Sequence, residues 1–324
     1  MSKEDFYSLT PDYVLDAVDA AGFRTTGELL QLNSYENRVF ELSIEPDSSP
    51  HSKVIAKFYR PGRWSEECIL EEHEFIFDLL QNDLPVVAPL IQPNGSSLSL
   101  QNGILMAVFP KARGRLVQEL NDQELVRVGR SLAKMHNIGE QKEFQHRPIL
   151  DTESYGWDNI DHLQSWISPE VRSRYTNAAE DILYFLEDRL DPLKKIRIHA
   201  DVHKGNLLQV DMADQVREYF FVDFDDCATG NPIQDLWMLM PGNEEDTKVE
   251  MAALLEGYTE FRHFNHADLE VIPALRGLRI IHYAAWIARR WKDPSFPRLF
   301  PNFSDYNYWA AETDALEGIA RGLG

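Results

Sequence analysis

The first third of the chain reads mostly as strand, its clearest segments alternating between apolar and polar positions. In RVFELSI (38–44), Phe40, Leu42 and Ile44 fall on one side of an extended chain, the period-two pattern of a half-buried strand. KVIAKFY (53–59) follows a Pro/Ser turn with the same texture, and SLSL and ILMAVF flank Gln101, Asn102 and Gly103, a hairpin signal. One helix interrupts the strands. It is predicted from about Ser65 to Gln81, with Ser65 placed as its N-cap, Glu66 and Glu67 in its first turn, and Pro85 beyond its end.

After Pro110 the period changes to that of helices. DQELVRVGRSLAKMHNIG (122–139) sets Leu125, Val128, Leu132 and Met135 at helical spacing, and segments near 170–190, 245–262, 268–292 and 305–321 behave alike. Two short strand-like pieces, KIRIH (195–199) and EYFFVDF (218–224), lie among them. The pattern predicts an α+β chain of two lobes: an antiparallel-sheet N-lobe with one helix, residues 1–108, and a larger helical C-lobe, residues 109–324, meeting near VFPKARG.

Composition narrows the function classes. The chain has 324 residues, 44% hydrophobic and 26% charged, which is ordinary for a globular protein of about two domains. MSKEDFYSLT at the N-terminus has no apolar core, and no run approaches a membrane span, so a cytoplasmic location without membrane insertion is expected. Two cysteines, Cys68 and Cys227, are too few for a disulfide framework or a Cys-based zinc site. The net charge of −21 opposes binding to nucleic acid or anionic membrane. An anionic ligand therefore needs local cations or a metal.

The densest chemistry lies in HADVHKGNLL (199–208), directly after KIRIH, where His199, Asp201 and Asn206 form an H-x-D-x-x-x-x-N pattern. Downstream, FFVDFDD ends an apolar strand in Asp223. Phosphoryl transfer needs a positioned hydroxyl, neutralised phosphates and exclusion of water. Mg²⁺ prefers oxygen ligands and keeps several waters, so one carboxylate and one amide carbonyl suffice; Asp223 and Asn206 supply them. Asp201, five residues before Asn206, can take the acceptor proton. Lys57, on the alternating strand VIAKFY, is the cation expected on the nucleotide phosphates. On the 65–81 helix Glu72 shares a face with Phe75, Ile76 and Leu79, whereas Glu71 shares its face with Glu74 and Asp78. Glu72 is thus the expected partner of Lys57, and Glu71 is expected to be solvated.

SYENRVFEL, VIAKFYRPGRWS, ILEEHEF, GRSLAKMH, HADVHKGNLL, VDFDDCATGNPIQDLWML and RWKDPSFPRLFP together resemble the bacterial stress response kinases. These are members of the protein-kinase-like superfamily, alongside aminoglycoside phosphotransferases, choline kinases and homoserine kinases. The resemblance runs nearly end to end and implies a cytoplasmic, ATP- and Mg²⁺-dependent enzyme active on Ser/Thr of proteins. It implies that Asp201 accepts the proton, that Asn206 and Asp223 bind Mg²⁺, and that Glu36 lies at the ATP site. The chain departs from the broad kinase pattern in four places. NSYENR replaces the glycine-rich loop, so phosphate contacts there are expected from backbone N–H groups and from Ser34 and Asn37. Asp225 stands where D-F-G has its glycine, and Ala200 where H-R-D has its arginine. Gln234 follows Asp223 by only eleven positions, which leaves no long activation loop.

Several residues read as structural. His199 is expected to prop the loop, Asp235 to hold it from beneath through backbone N–H groups, and His136 to cap a helix end. Arg289, Arg290 and Lys292, with Trp286 and Trp291, form either a basic rim over core aromatics or a docking patch. Three function classes follow: a monomeric Ser/Thr protein kinase as the leading one, a small-molecule hydroxyl kinase, and a nucleotide-binding regulator without turnover. The joint presence of Lys57, Asp201, Asn206 and Asp223 argues against the last.

Overall fold

The computed structural model describes residues 6–7, 9–211, 217–240 and 244–323; residues 1–5 of the expected N-lobe lie outside them. Helix α1 (Pro11–Ala20) leads into strands β1 (Thr25–Leu32), β2 (Arg38–Ile44) and β3 (Lys53–Phe58), then helix α2 (Glu66–Gln81) and strands β4 (Ser99–Gln101) and β5 (Ile104–Pro110). The strands form one antiparallel sheet in the order β1-β2-β3-β5-β4. The period-two pattern sorts its two faces by parity. Phe40, Leu42, Val54, Ala56, Phe58, Met106 and Val108 pack against Val14 and Val18 of α1, while Val39, Ile55, Lys57 and Phe109 line a cavity on the other side. Lys57 is delivered to that cavity by its register, opposite Val39 on β2 and Ala107 on β5.

Ser65 caps α2 by accepting from the N–H of Cys68. Although α2 interrupts the sheet strands in sequence, its Phe75, Ile76 and Leu79 are buried in the large core formed mainly by the second half of the chain. Phe75 meets Phe224 edge-on at 5.9 Å. Glu72, one turn back on the same face, is thereby fixed relative to the loop that follows Asp223.

The rest of the chain runs through β6 (Arg115–Leu116), α3 (Asp122–Gly139), a π-helical turn, α4 (Asp158–Leu163), α5 (Arg172–Arg189), β7 (Ile196–Ile198), β8 (Leu207–Asp211), β9 (Arg217–Phe221), β10 (Ala228–Gly230), α6 (Ile233–Trp237), α7 (Glu244–Thr259), α8 (Ile272–Arg289), α9 (Phe296–Leu299) and α10 (Tyr306–Arg321). Helices α3 and α7 cross so closely that a Cβ on Gly129 would lie 2.1 Å from the carbonyl oxygen of Leu254. That approach lets the Tyr258 hydroxyl of α7 meet His136 of α3 at 2.8 Å. Strand β7 pairs with β10 and β8 with β9. The segments after β7 and β9 are thus brought side by side, tied by the N–H of Val222 to the carbonyl of Asn206. No helix among the described residues is long and apolar enough to cross a membrane.

Candidate active site

The loop after β7 is held in an unfavourable backbone state. Ala200 has φ +68°, a left-handed conformation that costs an L-residue with a Cβ about 1–2 kcal/mol. Asp235 of α6 offsets this by accepting from the N–H groups of both His199 (3.0 Å) and Ala200 (2.7 Å), and Gln234 donates to the Ala200 carbonyl. His136 does not cap its helix; it is fully buried and bonds Asp235 at 3.1 Å, fixing the carboxylate from behind. His199 accepts from the N–H of Asp201 at Nδ1 and meets the Val222 carbonyl at Nε2, so it joins the two loops. Replacing Asp235 with Ala would strand two buried N–H groups at about 1–3 kcal/mol each. A loss of about 3 kcal/mol in urea denaturation is expected, and a loss below about 1 kcal/mol would show that the loop stands without Asp235.

The second loop is also strained: Asp223 has φ +60°, a conformation that Asp tolerates better than most residues. Two residues on, Asp225 is enclosed and Asp223 is open, their side chains being 4% and 56% exposed. Lys57 Nζ lies 3.1 Å from Asp223, 3.0 Å from Asp225 and 3.7 Å from Glu72. Burial opposes the ammonium charge, but Asp225, Glu72 and Asp223 together hold its pKa well above the usual lysine range. Burial pushes Glu72 up to about 7 against the pull of Lys57. Glu71, expected in solvent, instead accepts from the N–H groups of Gln145, His146 and Arg147 and pins that segment to α2.

Asp201, Asn206, Asp223, Lys57, Glu72, Glu36, Ser34 and Asn37 all line one cavity of about 820 Å³ between the sheet and the helices. Asn206 donates its Nδ2 hydrogens to the main-chain oxygen (3.0 Å) and Oδ2 (3.2 Å) of Asp201, which leaves the amide oxygen for a cation. That oxygen and the open carboxylate of Asp223 are hard donors of the kind Mg²⁺ takes. No group of three or more His, Cys, Asp or Glu side chains among the described residues could hold a metal. A cation here would complete its shell with water and phosphate oxygens, which also suits Mg²⁺.

In the loop between β1 and β2, the Ser34 hydroxyl accepts from the N–H of Asn37, and Asn37 Oδ1 accepts from the N–H of Arg60. The side-chain oxygen of Asn37 is therefore committed to the protein. Glu36 forms ion pairs with Arg60 at 2.9 Å and Arg290 at 2.6 Å and accepts from the Trp286 indole N–H at 2.8 Å. Arg60 also reaches Asp293 at 2.9 Å. These contacts tie the loop to the end of α8. Arg290 accordingly faces inward and is no solvent-facing docking cation, and Arg289 bonds Asn159.

Three cations escaped the motif reading. Arg63, from the segment between β3 and α2, bridges Asp225 and Asp226. Burial pushes Asp226 up to about 6, outweighing Arg63. Arg147 is wholly buried, donates to the carbonyls of Cys227 and Asp225, and stacks over Trp64 with its guanidinium carbon 4.3 Å from the ring centre. Arg279 of α8 stands 3.3 Å from Oδ1 of Asp201. Only R-P-G-R, after the Lys57 strand, gave any sequence signal for one of them.

The family model described as "Phosphotransferase enzyme family" matches residues 28–272. The chain belongs to that family. This phosphotransferase is 35% identical over 315 residues to Stress response kinase A of Escherichia coli (strain K12), covering 95% of this chain and 92% of that one. It is 34% identical over 312 residues to Serine/threonine protein kinase RdoA of Salmonella typhimurium, with the same coverage. Among solved structures it is similar to amicoumacin kinase hAmiN in complex with AMP-PNP, Ca²⁺ and Ami (TM-score 0.76, 23% identity, 99% of this chain and 96% of that one). It is also similar to a microcompartment-associated aminopropanol kinase (TM-score 0.72, 19% identity, 97% and 100%). The phosphotransferase thus has the two-lobed protein-kinase-like α+β fold expected from its sequence.

Proposed function

We propose that this phosphotransferase is an ATP- and Mg²⁺-dependent kinase that phosphorylates a Ser or Thr hydroxyl of a protein. The observation that carries the reading is the convergence of Lys57, Asp201, Asn206 and Asp223 on one cavity. Asp201 is held ionised: burial raises its pKa, but His203, Arg279 and His199 outweigh burial and bring it below the usual aspartate value. It can therefore take the proton of the acceptor hydroxyl as that oxygen bonds to the γ-phosphorus and the bond from γ-phosphorus to the bridging oxygen breaks, ADP leaving. Lys57 holds the nucleotide phosphates. A bound Mg²⁺, with Asn206 and Asp223 as its protein ligands, would draw charge from the phosphate oxygens. The protein acceptor is supported by the names of the relatives; a small hydroxyl metabolite is the second reading, favoured by the names of the structural neighbours.

A γ-phosphate transfer screen that offers protein substrates and hydroxyl metabolites side by side tests the acceptor. Phosphorylation of proteins alone is expected; efficient transfer only to a metabolite replaces the first reading with the second. ATP with Mg²⁺ at about 100 times its dissociation constant should stabilise the fold by about 2.7 kcal/mol, and a thermal shift that is the same without the metal would count against the metal site.

A further inference from the structure

The wall of the cavity built by α8 consists of Leu275, Leu278, Arg279, His282, Tyr283 and Trp286, and it carries no carboxylate. Arg279 meets Asp201 on Oδ1 at 3.3 Å, whereas Oδ2 is approached by Asn206 (3.2 Å) and His203 (3.4 Å). An acceptor hydroxyl that gives its proton to the less crowded oxygen must come in beside this guanidinium. The other carboxylates lining the cavity are already matched with different cations. Glu36 pairs with Arg60 and Arg290, Glu41 with Lys53 and Lys111, Glu72 with Lys57, and Asp225 and Asp226 with Arg63. Asp223 pairs with Lys57.

Arg279 is more open to solvent than Lys57, Arg60, Arg63 and Arg290, the cations on Glu72, Glu36, Asp223, Asp225 and Asp226. Its side chain is 44% exposed, and its Nη1 is shared between Asp201 and the Met238 sulfur. A guanidinium has five N–H donors in a fork that fits a carboxylate, so donors remain for a ligand. An ammonium on the acceptor would meet like charge at this point, and a carboxylate would meet a ready partner.

We propose that Arg279 is a specificity-determining residue that binds an anionic group next to the acceptor hydroxyl. The preferred acceptor then carries a carboxylate beside its hydroxyl, either a Ser or Thr with an acidic neighbour in a peptide or a free hydroxy amino acid. The inference rests on the kinase reading above and extends it to substrate choice. Cationic acceptors, such as amino alcohols, are disfavoured by the same residue.

The test uses the full chain with ATP and Mg²⁺ and three peptides whose central Ser is flanked by Glu, Gln or Lys, with free serine, free homoserine and an amino alcohol in parallel arms. For wild type, kcat/KM is expected to favour the Glu-flanked over the Lys-flanked peptide by about 10- to 100-fold, the range of one charge-assisted hydrogen bond. Arg279→Gln should flatten that ratio and Arg279→Glu reverse it, with ATP affinity, measured by direct binding, unchanged in both. If Arg279 serves only to orient Asp201, both variants would slow every acceptor by one common factor and leave the ratio intact, which overturns the proposal. A wild-type preference for the Lys-flanked peptide or the amino alcohol overturns it as well, yet leaves the kinase reading standing. Transfer to free hydroxy amino acids in place of peptides supports the anionic acceptor and removes the protein-acceptor reading. Transfer to no hydroxyl at all takes down both.

Discussion

Asp201→Ala should lower kcat by roughly 10²–10⁴ and leave ATP affinity within about twofold of wild type. The separation of the two effects follows from how the loop is tied. Asn206 donates to the main-chain oxygen of Asp201 as well as to its carboxylate, so its amide stays oriented when the carboxylate is removed. His199 bonds the Asp201 N–H, a main-chain group that Ala also has. Arg279 loses a partner but is 44% exposed, and water can replace the lost contact. The pH dependence has a definite sign. Since the pKa of Asp201 lies below its ordinary value, the base is ionised throughout the neutral range, and activity limited by it is lost only as pH falls below the usual aspartate range. The ratio of kcat at pH 7 to that at pH 5 should stay near one for wild type. A fall centred near pH 6 or 7 that persists when Glu72 and Asp226, held at about 7 and about 6, are replaced by Gln and Asn would assign the proton transfer to another group.

The strands that carry the site were legible because the sheet has a buried face and a cavity face. Even-numbered Phe40, Leu42, Val54, Ala56 and Phe58 are buried against α1 and odd-numbered Ile55 and Lys57 line the cavity, so a period of two assigns Lys57 to the cavity before any contact is known. The choice of Glu72 over Glu71 was legible for the same reason on a helix, since Phe75, Ile76 and Leu79 mark its buried face. Strand β1 was not legible: three of its eight residues, Thr25, Leu29 and Leu32, are half-buried, the other five are exposed, and its register shifts between Thr25 and Leu29, so no clean alternation survives. Nor was the role of Arg63, Arg147 or Arg279. Each meets carboxylates or carbonyls from distant parts of the chain, Arg63 across 162 residues to Asp225 and Arg279 across 78 to Asp201. Spacing along the chain carries information about one element at a time, and a charge balance assembled from several elements leaves no period to read. His136 shows the same limit: its place at a helix end suggested a cap, and a tertiary partner, Asp235, determines what it does.

Asp223→Asn should remove most of the Mg²⁺ dependence of nucleotide binding and slow transfer by about 10²-fold or more, the equivalent of about 3 kcal/mol of lost charge stabilisation at the phosphates. Asparagine is the informative replacement because position 223 has φ +60°, which Asn tolerates about as well as Asp, whereas Ala would add backbone strain. The fold should survive, since Lys57 keeps Asp225 at 3.0 Å and Glu72 at 3.7 Å as partners. With one fewer carboxylate against Lys57, metal-free ATP meets less like charge and should bind no worse than to wild type. The stabilisation by ATP should then become nearly independent of Mg²⁺, in contrast to Asp201→Ala, which keeps the full metal-dependent shift. Paired thermal-denaturation and single-turnover measurements on the two variants distinguish the roles. Equal loss of metal-dependent binding in both would mean that Asp201, too, contacts the cation, and the division between proton acceptor and metal ligand would have to be redrawn.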